Sequence, residues 1–86
     1  MIKEGFVLRK MPGMNLVMPA GDNVKTFNGA LMLNDTGALV FEELKKNSSA
    51  EDIAKRLTEE YNVSLEQALA DVQKTIDSLK EAGVAE

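Results

Sequence analysis

Residues 30–44 read Ala30-Leu31-Met32-Leu33-Asn34-Asp35-Thr36-Gly37-Ala38-Leu39-Val40-Phe41-Glu42-Glu43-Leu44, and the chain changes its period inside this stretch. Ala30 to Leu33 is an apolar run of strand length. Asn34 and Asp35 are short polar residues of the kind that accept hydrogen bonds from the first amides of a helix. Beyond them Leu39, Val40, Phe41 and Leu44 recur at helical spacing. The pattern predicts a strand ending at Leu33 and a helix running from the cap to about Lys46. Strands are therefore expected before this junction and helices after it.

Working backwards, Phe6-Val7-Leu8 lies beside Arg9 and Lys10 and ends at Pro12-Gly13, a turn pair. Leu16-Val17-Met18 repeats the pattern and stops at Pro19, with Gly21, Asp22 and Asn23 as the next turn. Val24 to Phe27 alternates apolar and polar residues, and Asn28-Gly29 is a tight-hairpin signal. Three or four antiparallel strands are expected.

Working forwards, Asn47, Ser48 and Ser49 break the first helix. Ser49 with Asp52 resembles a capping box and opens a second helix with Ile53, Ala54 and Leu57 on one face. Asn62 closes it after Tyr61. Ser64 with Gln67 is a capping box for a third helix, whose apolar stripe reads Leu65, Leu69, Val72, Ile76 and Leu79. Gly83 stands where a C-terminal cap glycine belongs. Strands followed by three helices give an α+β fold, winged-helix-like, in a single domain over residues 1–86.

The bulk composition narrows the function. A chain of 86 residues buries only about 60–65% of its unfolded surface, so a deep substrate cavity is not expected. There is no cysteine and no histidine. Disulfides, thiolate chemistry, zinc-finger ligands and the usual general base are thereby absent. No catalytic set, metal site or cofactor is expected, and the chain reads as a non-enzyme. No apolar run approaches the roughly 20 residues of a membrane span, and the N-terminus lacks a signal-peptide layout. A cytoplasmic protein without a membrane anchor is expected. The net charge is −4. Residues 1–50 carry six basic and five acidic side chains, whereas residues 51–86 carry four and nine. The helical end is acidic, the wrong sign for nucleic acid.

Several local features compete as sites. Asp77-Ser78-Leu79 is the tripeptide on which carrier proteins hold a phosphopantetheine arm. Here it lies deep in the last helix rather than at a helix start, and a surface serine beside a core leucine explains it better. A winged-helix DNA reader would present Gln67, Gln73, Lys74 and Lys80 to base edges, but Glu66, Asp71, Asp77 and Glu81 stand among them. The adjacent pairs Glu42/Glu43, Glu51/Asp52 and Glu59/Glu60 point about 100° apart on a helix, so they do not converge on one proton or metal. Met11, Met14, Met18 and Met32 read as strand packing rather than as an adaptable surface. One flank of the third helix is lined by small side chains: Ala68, Asp71, Thr75, Ser78 and Ala82. The opposite flank carries Glu66, Gln73 and Lys80. Small residues let another backbone come close, whether a foreign one or the protein's own sheet.

Leu33-Asn34-Asp35-Thr36-Gly37-Ala38 with the following Leu39 to Leu44 resembles the signature of the PqqD family. The likeness continues through Ser49-Ala50-Glu51-Asp52-Ile53 and Tyr61. It then runs through Ala70-Asp71-Val72, Ile76, Leu79 and Ala82-Gly83-Val84, and so covers nearly the whole chain in order. Asp35 stands where glutamate is commoner, and Phe41 where tryptophan or leucine is frequent. Such proteins are recognition elements for ribosomally made precursor peptides, also called RiPP precursors. The resemblance implies a non-catalytic peptide chaperone that binds a leader segment and presents it to a separate modifying enzyme, often of the radical SAM type. The leader adds as a strand to the sheet edge and lies against the third helix. Carried onto this sequence, the edge strand is Ala30, Leu31, Met32 and Leu33, and the helix wall is Asp71, Val72, Thr75 and Ser78. Val72 also belongs to the apolar stripe. An open edge can also be satisfied by a second copy, so a homodimer stays among the outcomes. The alternative function is a winged-helix adaptor or regulator that binds protein or, with poorer electrostatics, DNA.

Overall fold

The computed structural model describes residues 2–3, 5–20 and 31–85. Strands β1 (Phe6–Met11), β2 (Met14–Pro19) and β3 (Leu31–Leu33) form one antiparallel sheet in the order β1-β2-β3. Helices α1 (Asp35–Lys45), α2 (Ala50–Glu60) and α3 (Leu65–Glu81) follow. The fold is α+β and winged-helix-like, with three strands among the described residues. The strand expected at Val24 to Phe27, the Asn28-Gly29 hairpin and Ala30 lie outside them.

Pro12 and Gly13 join β1 to β2, and Gly13 takes a φ of 79°, the left-handed value that a proline–glycine turn needs at its second corner. The pairing that follows is Met11↔Met14, Lys10↔Asn15, Arg9↔Leu16, Leu8↔Val17, Val7↔Met18 and Phe6↔Pro19. One step further, Ala20 N–H donates to Gly5 O at 2.7 Å. Hydrogen-bonded and non-bonded pairs alternate in such a ladder. The bonded pairs are therefore Val7/Met18, Arg9/Leu16 and Met11/Met14, and Pro19, which has no N–H, falls on a non-bonded position. It follows that Asn15 and Val17 turn their main-chain groups towards β3, where they meet Leu33 and Leu31. Met32 lies opposite Leu16, so its own N–H and C=O point away from the sheet.

Side chains obey the same alternation. Phe6 and Val17 are buried on the inner face, with Leu33 at its edge, and the helices cover them. Phe41, Val40, Ile53, Leu57, Val72, Leu79 and Val84 complete the centre, each worth about 1.5–3 kcal/mol for the larger side chains. The outer face holds Val7, Met11, Met14 and Met32, all exposed. Of the four strand methionines read as packing residues, Met11, Met14 and Met32 thus reach solvent and Met18 is half-buried.

The caps form as expected, with one difference. Asn34 Oδ1 accepts from Gly37 N–H at 2.8 Å, Ser49 Oγ from Asp52 N–H at 3.2 Å and Ser64 Oγ from Gln67 N–H at 3.1 Å. Gln67 does not reach back to Ser64 to complete the box; its Nε2 donates forward to Asp71 Oδ1 at 3.0 Å. The stripe of α3 also differs at its start. Leu65 is 50% exposed and Leu69 38%, whereas Ala68 is fully buried in the same cluster as Ile53, Ala54 and Leu57 of α2. A methyl group at that point admits the neighbouring helix where a leucine would hold it off. At its other end α3 closes with Gly83 at φ 80°. Gly83 N–H donates to Lys80 O and Val84 N–H to Leu79 O, the paired bonds of a Schellman cap. Lys3 N–H then donates to Val84 O at 2.9 Å, which ties the two ends of the chain together.

A cleft between the third strand and the third helix

The two edges of the sheet are not equivalent. On β1 the ladder turns the carbonyls of Phe6, Leu8 and Lys10 outward, and Lys45 Nζ donates to Phe6 O at 2.8 Å. The same ammonium lies 5.6 Å from the Phe41 ring centroid, a cation–π distance. Lys45 therefore ties this edge to α1 at Phe6. Among the described residues, β3 has β2 on one side and no strand on the other.

Beside that second edge runs a cleft of ≈ 250 Å³. Its floor is Met32 and Leu33, one wall is the start of α1 with Asn34, Thr36 and Gly37, and the other is α3 with Asp71, Lys74, Thr75 and Ser78. The α3 residues fall at spacings of three and four, one face of the helix. Asn34 turns strand into helix and also lines the cleft. Gly37 matters because a Cβ there would meet Asn34 Oδ1 at 3.1 Å and Leu33 Cβ at 3.3 Å; its missing side chain is what lets α1 start so close to β3.

The corner is held from behind. Asn15, 5% exposed, reaches from β2 and donates through Nδ2 to Leu33 O at 3.2 Å and to Asp35 Oδ1 at 3.0 Å. One buried amide thus fixes both the end of β3 and the start of α1. Sequence alone carries no sign of this, because the partners are 18 and 20 residues away.

Of the residues singled out from sequence, Met32, Leu33, Asp71, Thr75 and Ser78 line this cleft. Leu31 is half-buried in β3 and its main chain faces β2. Val72 is fully buried and belongs to the core; it does not line the cleft. Ala30 lies outside the described residues. Lys74, Asn34, Thr36 and Gly37 join the lining without having been assigned to it. Lys74 was detectable as the residue between Asp71 and Ser78 on one helical face.

A second hollow, of ≈ 310 Å³, lies between the β1–β2 hairpin, α1 and α2. Six of its charged side chains pair with one another, Lys10 with Glu42, Lys46 with Glu43 at 3.2 Å and Arg56 with Glu60 at 3.4 Å, and Asp35 takes the Asn15 amide. Lys10 has its pKa raised above 10.5, first by the hydrogen bond to Glu42 and then by that carboxylate's charge. No described group of three His, Cys, Asp or Glu residues is placed to hold a metal. No described helix is long and apolar enough to cross a membrane.

With the geometry in place, residues 15–85 match the family described as coenzyme PQQ synthesis protein D, PqqD. The chain belongs to the PqqD family. Two solved structures resemble this PqqD-family protein over nearly its full length. One is a lasso peptide synthetase B1 complexed with its leader peptide, at TM-score 0.79 and 27% identity, covering 100% of this chain and 95% of that one. The other is TbiB1 in complex with the TbiA(beta) leader peptide, at TM-score 0.78 and 16% identity, covering 99% and 93%; at that identity the likeness speaks for the fold alone. Among curated protein sequences none matches this PqqD-family chain.

Proposed function

We infer that this PqqD-family protein binds the leader segment of a ribosomally made precursor peptide by strand addition to β3 and hands the peptide to a separate modifying enzyme, radical SAM or other. The observation that carries the reading is the asymmetry of the sheet: among the described residues, Lys45 covers the β1 edge at Phe6, while β3 has no strand on its far side and borders a cleft walled by α3. A strand added there pairs with the N–H and C=O of Met32. Its side chains then alternate between the outer sheet face and the cleft. The lasso peptide synthetase B1 that resembles the chain at 27% identity was solved with a leader peptide, in keeping with this reading. The acids along α3 weigh against the regulator that reads DNA, and Ser78, inside a helix rather than at its start, against the carrier protein.

The test is titration of the isotope-labelled protein with synthetic leader segments of ribosomally made precursor peptides. Amide shifts concentrated at residues 31–33 and 71–78 are expected. Shifts confined to other surfaces, or none at micromolar peptide, would overturn the assignment.

A further inference from the structure

The polar groups of the cleft are unequally engaged. Thr36 Oγ1 donates to Asn34 Oδ1 at 2.9 Å, which also takes the Gly37 amide. Thr75 Oγ1 donates to Asp71 O at 2.9 Å, and Asp71 Oδ1 takes the Gln67 amide at 3.0 Å. The Lys74 ammonium, the Ser78 hydroxyl and the Asn34 Nδ2 have no hydrogen-bond or ion-pair partner among the described residues. Asp71 is the one carboxylate of the lining, and one of its two oxygens already takes the Gln67 amide. Lys74 and Asp71 are three residues apart on α3 yet form no ion pair in the structure.

We propose that the cleft selects a single carboxylate side chain, Asp or Glu, in the bound peptide, with Lys74 as its main partner and Ser78 as a second donor. The assignment rests on the strand-addition reading, because the ladder decides where that side chain sits. The peptide residue opposite Met32 shares the face of Met32, the outer one. Its neighbour on the Leu33 side shares the inner face and enters the cleft between Leu33 and α3. That neighbour is the carboxylate. A lone acid is required rather than an acidic run: the chain carries a net −4, and Glu66, Asp77 and Glu81 on the same helix repel further negative charge.

The probe is an immobilised library of short peptides in which each position in turn is fixed as one amino acid. One position is expected to favour Asp and Glu over Asn and Gln. The best binder and its amide counterpart are then titrated against wild type, Lys74→Met and Lys74→Arg. Replacing the carboxylate by the amide should weaken binding to wild type about fivefold, the scale of a solvent-exposed charge-assisted bond. Lys74→Met should weaken the acidic peptide by the same factor and leave the amide peptide unchanged, and Lys74→Arg should restore discrimination. Equal affinity of acid and amide, or discrimination that survives Lys74→Met, overturns the carboxylate assignment and leaves strand addition standing. Failure of every library peptide to shift the amides of residues 31–33 overturns both.

Discussion

The Nδ2 of Asn15 lies 3.0 Å from Oδ1 of Asp35, so a side chain of the middle strand fastens the first residue of the first helix. The same amide group also holds Leu33 O. Because Asn15 is buried, its replacement by Leu leaves Asp35 without its partner and one acceptor site on Leu33 unmatched. The expected cost in urea unfolding is about 1–3 kcal/mol. Asp35→Ala alone should cost less, since Asn15 keeps Leu33, and the double variant should fall short of the sum of the two singles.

Proline placed along β3 distinguishes the two sides of the strand. Met32 turns its N–H outward, so Met32→Pro should leave the fold near wild-type stability and abolish peptide pairing. Leu31 turns its N–H to Val17, so Leu31→Pro should break the β2–β3 ladder and lower the thermal midpoint. The check is circular dichroism melting alongside peptide titration. A Met32→Pro protein that binds peptide as tightly as wild type would contradict the ladder phase deduced from Ala20 and Gly5.

Gly83 holds the left-handed conformation that ends α3. Gly83→Ala should destabilise the protein by about 1–2 kcal/mol, the scale of the left-handed penalty for a side chain with a Cβ. There is open space around the position, so the loss comes from the backbone rather than from a clash. Denaturant midpoints of the two proteins give the value.

Lys10 supplies a pH signature. Its folded-state pKa is raised above 10.5 by Glu42. A raised value means stability that is fully present below 10.5 and lost as pH climbs through the folded-state pKa. The melting temperature should therefore fall more steeply at alkaline pH in wild type than in Glu42→Gln. The difference is small because Lys10 is exposed to water.

Much of this architecture was legible because its signals are local. Asn34, Ser49 and Ser64 each cap a helix with an amide three residues away, and Pro12-Gly13 makes its turn with its own backbone. The errors arose where neighbours in space decide. Leu65 and Leu69 fit the helical period, yet α2 packs closely enough to bury Ala68 in their place. Val72 fits both the stripe and the peptide wall, and the depth of the core takes it wholly for the former. Gln67 had the spacing of a capping partner, and Asp71 on the next turn captured its side chain. In the cleft, Asp71, Thr75 and Ser78 were readable as one helical flank. The contribution of Asn15 and the capping of Phe6 by Lys45 were not, since each joins residues far apart in sequence.

The contrast between the two sheet edges bears on which chains can pair with the strand left exposed. A long bare edge is a template on which identical chains stack. Among the described residues, Lys45 covers the six-residue strand β1 at Phe6, and β3 has no strand on its far side. Of the described β3 residues, Met32 is the one that offers an outward donor and acceptor. A visitor that pairs with Met32 must also fit the gap beside α3. The helix wall is thus a filter: it reserves the edge for chains that satisfy α3 as well as the strand.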